Sequence, residues 1–255
     1  MYTGTMVREE GLVINWFPGH MKRALDQIRD HIKLCDAIIY VLDARAPLSC
    51  LNPSFDELVG RKPTLFVLNK IDLAPHGTLD FFKKRQKGTV ITLDSRVSGT
   101  SKKIVSGLRM LLKERLDAAK AKGIQRPIRA IVIGVTNCGK STMINNLAGK
   151  GKTKTADRPG VTRHAQWIAT NEPLLWVLDT PGTLWPRLDD QKVARNLALI
   201  GSIKDDVVDI VDLANTLVSD FGLEVKRRGQ NEEQEAKAIL KDFRSGKLGK
   251  FNLDL

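Results

Sequence analysis

Short, almost uninterrupted apolar runs recur along the first three quarters of the chain. They cover residues 37–42, 64–68, 89–93 and 127–133, followed by a pair at 165–169 and 174–178. Runs of this length without apolar–polar alternation are typical of strands that are buried on both faces of a parallel sheet. The last two runs lie close enough together to form a hairpin. The pattern therefore predicts six strands, most of them parallel.

Segments with a helical spacing of apolar residues separate these runs. The expected helices cover residues 22–33, 53–59, 79–87, 102–122 and 140–147. Alternating strands and helices of these lengths indicate an α/β fold, with a mostly parallel sheet and helices on both faces. In such folds the ligand binds at the carboxyl ends of the strands.

After Pro186 the pattern changes, and only helical spacing is found. Helices are expected over residues 191–199, 206–218 and 232–243. We therefore predict three parts, which are an N-terminal arm at residues 1–14, an α/β domain at 15–186 and a small α-helical domain at 187–255.

The composition is ordinary for a soluble globular protein, with 42% hydrophobic and 27% charged residues. No apolar run is long enough to cross a bilayer, so we expect no membrane association. The first twelve residues lack the features of a signal or transit peptide. Three cysteines without metal-binding spacing favour reduced thiols in an intracellular protein. The expected location is the cytoplasm.

A phosphate-binding motif follows the apolar run at 127–133. Gly134 is followed, after four further residues, by Gly139, Lys140 and Ser141. The glycines let backbone N–H groups surround an anion, and the next helix directs its positive end towards it. Lys140 would contact the β- and γ-phosphates, and the Ser141 hydroxyl would bind Mg²⁺. The alternative is a glycine turn that binds nothing.

A second motif, Asn69-Lys70-Ile71-Asp72, follows the run at 64–68. The carboxylate of Asp72 can accept hydrogen bonds from the N1–H and the 2-amino group of guanine, a pair that adenine does not offer. Asn69 would connect the base to the phosphate loop, and the stem of Lys70 would cover the ring. The motif therefore predicts that the bound nucleotide is GTP.

The run at 89–93 ends in Asp94-Ser95-Arg96, whose backbone N–H groups are expected to meet the guanine carbonyl oxygen. A Ser-Ala pair is usual at this position, so the assignment is weaker than that of the guanine motif.

Two further elements concern Mg²⁺ and the γ-phosphate. The run at 174–178 ends in Asp-Thr-Pro-Gly at 179–182. Asp179 would hold Mg²⁺ through water, and the N–H of Gly182 would contact the γ-phosphate. Thr162 is the candidate for a switch threonine that completes the Mg²⁺ shell when GTP is bound. The alternative for Thr162 is an ordinary loop threonine.

The order of these motifs is unusual, because in an ordinary GTPase the guanine motif comes last. Here it precedes the phosphate loop, which indicates a circular permutation. Further motifs are Asn-Trp-Phe-Pro-Gly-His-Met at 15–21, Leu-Asp-Ala-Arg-Ala-Pro at 42–47, Asp-Arg-Pro-Gly-Val-Thr at 157–162 and Asp-Thr-Pro-Gly-Thr-Leu-Trp-Pro at 179–186. With them the sequence resembles the circularly permuted GTPases of the RbgA/YlqF type, which act in biogenesis of the large ribosomal subunit.

The resemblance implies a P-loop GTPase domain that hydrolyses GTP to GDP and phosphate, followed by a helical domain. No glutamine follows Gly182 to orient the attacking water, and Thr183 stands where the family usually has a bulky aliphatic residue. The resemblance makes His20 the candidate catalytic group, whereas a lone histidine in a turn is usually structural. It implies the cytoplasm, with the mitochondrial matrix as the alternative, since relatives work in mitochondria.

Three further residues, in the phosphate loop or directly after it, enter the expected site. Asn137 is similar to the asparagine of potassium-stimulated GTPases and could bind K⁺, or it is an ordinary loop residue. Cys138 is expected to contribute its backbone, and Thr142 follows the Mg²⁺-binding serine.

The permutation also has a mechanical consequence. The Asp-x-x-Gly element now leads directly into the C-terminal helices. We therefore expect the nucleotide state at Gly182 to be passed through Trp185-Pro186 to those helices.

The net charge of +12 and the isoelectric point near 9.7 favour a polyanionic partner. Lysine and arginine cluster at residues 101–129, at 149–164 and in the tail from 226 to 250. We expect contacts to rRNA phosphates with little base readout, because no stacking-aromatic signature is found. The alternative is a solvated basic face. We expect no DNA partner. We also expect the protein to be a monomer.

Two other functions stay open. One is a signalling switch with a protein partner, and the other is an RNA-binding scaffold that uses GTP without needing hydrolysis.

Overall fold

The structure is a computed structural model that describes residues 19–97, 99–124, 126–149, 166–172, 174–184, 188–225 and 229–255. The expected N-terminal arm lies outside these residues. None of the described helices combines the length and the apolar character needed to cross a bilayer.

A single mixed sheet forms the centre of the described residues. Its strands are β1 (Ala37–Asp43), β2 (Thr64–Asn69), β3 (Thr89–Thr92), β4 (Ile128–Ile133), β5 (Gln166–Ala169) and β6 (Leu175–Asp179). Their order across the sheet is β3-β2-β1-β4-β6-β5, and only β5 is antiparallel to its neighbour. Strands β1 and β2 are buried along their whole length, as their continuous apolar sequences predict. The predicted α/β class is confirmed.

The helices of the described residues are α1 (Gly19–His31), α2 (Asp56–Arg61), α3 (Thr78–Arg85), α4 (Thr100–Leu111), α5 (Lys113–Ala121), α6 (Lys140–Ala148), α7 (Gln191–Leu199), α8 (Ile210–Phe221) and α9 (Glu232–Arg244). Each predicted helix has a counterpart. Four departures from the predicted bounds stand out, in the helices expected at 102–122, 206–218, 53–59 and 22–33.

The helix expected over 102–122 is wrong as a single element, because the chain bends at Leu112 into α4 and α5. Leu112 is buried, with φ −104° and ψ 13°. The buried residues Ile104, Val105 and Leu108 all lie on α4, whereas α5 contributes no fully buried side chain. The run of fully buried residues thus ends at Leu112, and Leu116 of α5 packs against the core only partly buried.

The starts of three other helices also differ from the prediction, and at α8 a side-chain cap explains the difference. The helix expected to start near residue 206 begins at Ile210, because the Asp209 carboxylate accepts hydrogen bonds from the next N–H groups. A 3₁₀ turn, Asp205–Val207, precedes it. Another 3₁₀ turn, Pro53–Phe55, occupies the start of the helix expected at 53–59. The first helix starts at Gly19 instead of residue 22, so His20 lies in its first turn.

The C-terminal residues hydrogen-bond to the loop after β1 and connect it to the C-terminal helices. The N–H of Leu253 donates to the Arg45 carbonyl at 2.7 Å. The Asp254 carboxylate accepts a 2.5 Å hydrogen bond from the Ser49 hydroxyl, and Asn196 on α7 donates to the same hydroxyl at 3.0 Å. Burial raises the pKa of Asp254 despite these donors. The carboxyl edge of the sheet is thus held against the helices.

The end of β1 carries a buried group of charges. Arg45 donates from Nε and Nη2 to the two oxygens of Asp43 at 2.9 and 2.7 Å, and Lys70 Nζ lies 2.9 Å from the same carboxylate. Burial alone would raise the pKa of Asp43, but the adjacent Lys70 and Arg45 cations hold it below its usual range. Buried charges are tolerated when they are paired in this way. The group ties β1 to the residue that follows β2.

Replacing Asp43 by asparagine should lower the free energy of unfolding by about 3–5 kcal/mol, because the buried Arg45 guanidinium loses its counter-charge. Chemical denaturation measures this value. The variant Glu57→Gln breaks an exposed ion pair with Arg61 (2.8 Å) and is the control, expected to cost less than about 1 kcal/mol. The difference in the free energy of unfolding between the native protein and Asp43→Asn should decrease below about pH 4, where the Asp43 carboxyl of the unfolded chain becomes protonated. Equal losses in both variants would contradict the prediction.

Candidate functional site

The phosphate loop, residues 134–141, connects β4 to α6 and packs against the ends of β1 and β2. Gly134 has φ +150°, and a Cβ there would clash with the Val41 carbonyl oxygen. Gly139 has φ +97°, and a Cβ there would clash with the Asn69 side chain. Asn137 also adopts a left-handed conformation, with φ +56°. Both glycines are therefore required by conformation and by close approach.

The side chain of Lys140 is buried within this loop. Its Nζ donates to the carbonyls of Gly134 and Val135 at 3.1 and 2.7 Å. Gly182, from the segment after β6, lies against the same place, because a Cβ on it would come within 2.9 Å of that Nζ. The same Cβ would lie 2.7 Å from the Thr136 Cα. The structure therefore brings the Asp-x-x-Gly glycine to the phosphate-loop lysine.

Asn69, at the end of β2, joins two loops. Its Nδ2 donates to the Cys138 carbonyl at 2.8 Å, and its Oδ1 accepts from the Ser95 N–H at 3.0 Å. Asn146 on α6 donates to the Ser95 carbonyl from the other side. The phosphate loop and the Asp94-Ser95-Arg96 loop are thus held at a fixed separation.

Lys70 is the second link between the guanine motif and the phosphate loop. It has a left-handed backbone (φ +57°), and its Nζ donates to the Asn137 carbonyl at 2.7 Å. Ile71 follows, with its N–H bonded to the Leu93 carbonyl at 3.1 Å. The stem of Lys70 therefore crosses between the two motifs, which is where the sequence predicts that it covers the base.

Asp72 is held by a residue that sequence reasoning assigned only a backbone role. Arg96 Nη2 lies 2.5 Å from Asp72 Oδ2, while the same guanidinium makes two 2.9 Å hydrogen bonds with the Asp94 carboxylate. These bonds lower the pKa of Asp94. The second oxygen of Asp72, Oδ1, is buried without a hydrogen-bond partner among the described residues. That oxygen is an acceptor that the N–H groups of guanine would satisfy.

Comparison with known proteins agrees with this geometry. A family model described as a 50S ribosome-binding GTPase matches residues 129–245. Ribosome biogenesis GTPase A of Bacillus cereus is 44% identical over 209 residues, which cover 80% of this chain and 70% of that protein. The chain belongs to the ribosome biogenesis GTPase A family. The family's protein from Priestia megaterium is 37% identical over 281 residues, covering 95% of this chain and 97% of its own.

A solved structure is also similar, namely GNP-bound YlqF from T. maritima. It has a TM-score of 0.64 and 26% sequence identity, and the match covers 89% of this chain and 95% of that one. The family assignment makes the chain a GTPase. It also confirms the permuted motif order, in which the guanine motif follows β2 and the phosphate loop follows β4.

The Mg²⁺ ligands expected for this family are placed in part. Ser141 lies in the first turn of α6, directly after the phosphate-loop lysine. Asp179 ends β6 beside Val132 of β4 and is 2% exposed. A hydroxyl in the first turn of α6 and a carboxylate at the end of β6 fit the preference of Mg²⁺ for oxygen ligands. Thr142 is the next residue of the same helical turn, whereas Thr162 lies outside the described residues.

His20 is placed only by its backbone, in the first turn of α1. The structure does not describe its side chain, so the proposed catalytic role of His20 stays a prediction.

Arg96→Ala should weaken GDP binding about two- to fivefold, because an exposed ion pair contributes up to about 1 kcal/mol. Inosine diphosphate lacks the 2-amino group, so the preference for GDP over this analogue should also fall when Asp72 is less well oriented. Titration calorimetry at low and high salt measures both effects, and the difference from the native protein should shrink with salt.

The control for this prediction is Arg61→Ala, which removes an exposed arginine of α2. An unchanged preference for GDP over inosine diphosphate in Arg96→Ala would show that Arg96 does not orient Asp72.

Proposed function

We propose that this GTPase is an assembly factor for the large ribosomal subunit, that it binds rRNA on the immature particle, and that the particle stimulates its hydrolysis of GTP. One structural observation supports the nucleotide part of this proposal: Asn69 joins the guanine motif to the phosphate loop at the carboxyl edge of the sheet. The relatives from Bacillus cereus and Priestia megaterium, 44% and 37% identical to this chain, are named for ribosome biogenesis. GTP is the substrate that the joined motifs fit.

In the proposed mechanism, Asp72 binds the guanine base and the backbone of residues 94–96 meets its carbonyl oxygen. Lys140 and the N–H groups of the phosphate loop stabilise the charge that develops on the phosphates during hydrolysis. Ser141, Thr162 and, through water, Asp179 would hold Mg²⁺, which neutralises phosphate charge when bound.

Two groups are proposed to act on the attacking water or on the developing charge. His20 would position the water. Asn137 would contribute to a K⁺ site, with its amide oxygen as the ligand, since its Nδ2 donates to the Gly201 carbonyl at 2.8 Å. The Gly182 N–H would contact the γ-phosphate.

The proposed RNA-binding surface includes helices α4 and α5. The nine lysines and arginines between residues 101 and 129 are all exposed, namely Lys102, Lys103, Arg109, Lys113, Arg115, Lys120, Lys122, Arg126 and Arg129. Arg115 and Arg126 form ion pairs with Asp36, and Lys113 pairs with Asp117. The excess of positive charge supports contacts to RNA phosphates.

Arg244, which was expected to belong to the basic RNA-binding tail, instead stabilises the fold. Arg244 donates to the carbonyls of Leu199 and Ala198 at 3.0 and 2.9 Å and forms an ion pair with Asp205 at 2.7 Å. Its guanidinium is therefore committed to the fold. The basic residues at 150–164 and 226–228 lie outside the described residues.

We further propose a monomeric protein of the cytoplasm, with the mitochondrial matrix as the alternative. Residues 187–255 are proposed to form a domain of their own, in which Asn196 and Asp254 contact Ser49 in the loop after β1.

GTP turnover by the purified protein, alone and with purified large ribosomal subunits, tests the proposal. The subunits should raise the rate at least about tenfold, which is roughly 1.4 kcal/mol of barrier. His20→Ala should remove that gain, and replacing K⁺ by Na⁺ should lower the rate. ATP is the control nucleotide and small subunits are the control particle. No stimulation by large subunits would contradict the proposed ribosomal role.

A further inference from the structure

The turn after α7 contacts the phosphate loop through a reciprocal pair of hydrogen bonds. The Ser202 hydroxyl donates to the Thr136 carbonyl at 2.7 Å, and the Thr136 hydroxyl donates to the Ser202 carbonyl. Both residues are buried, with 0% and 3% of their surfaces exposed. Buried hydroxyls and carbonyls that satisfy one another in this way fix the separation of the two segments.

The neighbouring residues extend the same contact. Asn137 donates from Nδ2 to the Gly201 carbonyl at 2.8 Å, so two successive residues of the phosphate loop are bound by two successive residues of the turn. Gly201 has φ +79°, and Arg244 of α9 packs against it while bonding the carbonyls at the end of α7. The turn is thus itself anchored by the last helix.

The contact lies beside Gly182 of the Asp-x-x-Gly element. Gly182, whose N–H is proposed to contact that phosphate, approaches Thr136 so closely that a Cβ on it would lie 2.7 Å from the Thr136 Cα. A displacement of Thr136 would therefore disturb the loop where GTP differs from GDP.

We infer that Ser202 is a positioning residue for GTP, which acts by holding Thr136 of the phosphate loop in the conformation that accepts the γ-phosphate. This inference rests on the proposed site roles of the phosphate loop and Gly182. It makes the turn between α7 and α8 part of the nucleotide site, although no residue of the turn is assigned a contact with the nucleotide.

Two variants test the inference. Ser202→Ala leaves the buried Thr136 carbonyl without its donor, and Thr136→Val removes the other hydroxyl with little change in shape. Affinities for GDP and for a non-hydrolysable GTP analogue, measured by calorimetry, should both be determined. We expect the preference for the GTP analogue over GDP to fall at least fivefold in each variant. The double variant should show less than the summed effects, because both bonds join the same two residues.

Ser245→Ala is the matched control, since it removes an exposed hydroxyl that donates to the Asp242 carbonyl at the end of α9. Equal losses of affinity for GDP and for the GTP analogue would overturn the inference, as would no loss in either variant. If Ser202→Ala does not fold, the relative affinities of Thr136→Val for the GTP analogue and for GDP test the inference alone. A native protein that bound no guanine nucleotide would instead refute the proposed function, so the two failures are distinguishable.

Discussion

The proposed nucleotide site is built around the buried side chain of Asn69, which bonds two backbone segments at once. One amide group binds the Cys138 carbonyl in the phosphate loop and the Ser95 N–H in the neighbouring loop. The approach is so close that Gly139 can carry no side chain. Since base and phosphates are parts of one ligand, the two loops proposed to bind them must keep a fixed distance, and the Asn69 side chain contacts both of them directly.

The phosphate loop also contacts the helical segment that follows the Asp-x-x-Gly element. The expected link from Gly182 to the helices runs through Trp185-Pro186, which lie outside the described residues. The structure shows a second link, from Thr136 and Asn137 to the turn at Gly201 and Ser202. The phosphate loop is therefore bound by the guanine motif on one side and by the helical segment on the other. Such a contact can link the bound nucleotide to the helices only if it has two arrangements, one with GTP and one with GDP. A preference of the protein for GTP over GDP that depends on this contact would report such a difference.

Features that depend on local sequence pattern could be predicted from the sequence. The apolar runs located β1, β2 and β4, and motif spacing placed Lys140 and Asp72 at one edge of the sheet. The break at Leu112 was missed, because helical spacing continues in sequence after the buried face has ended.

The contacts of Arg96, Ser202 and Arg244 were missed for another reason. Each of these residues joins segments that are distant in sequence, and hydrophobic periodicity carries no information about such contacts. An arginine such as Arg244 also looks the same in sequence whether it binds RNA or hydrogen-bonds the carbonyl groups at the end of a helix. Asp209 is an intermediate case, since an aspartate ahead of an apolar stripe is a capping signal that could have fixed the start of α8.

The most direct test of this account is the affinity of Asn69→Ala for GDP, measured by calorimetry beside Asn215→Ala, which alters an exposed asparagine of α8. The account predicts at least about tenfold weaker binding in Asn69→Ala, since the Cys138 carbonyl and the Ser95 N–H both lose a buried partner. The control should bind as the native protein does. Native affinity in a folded Asn69→Ala protein would contradict the claim that this side chain holds the site together.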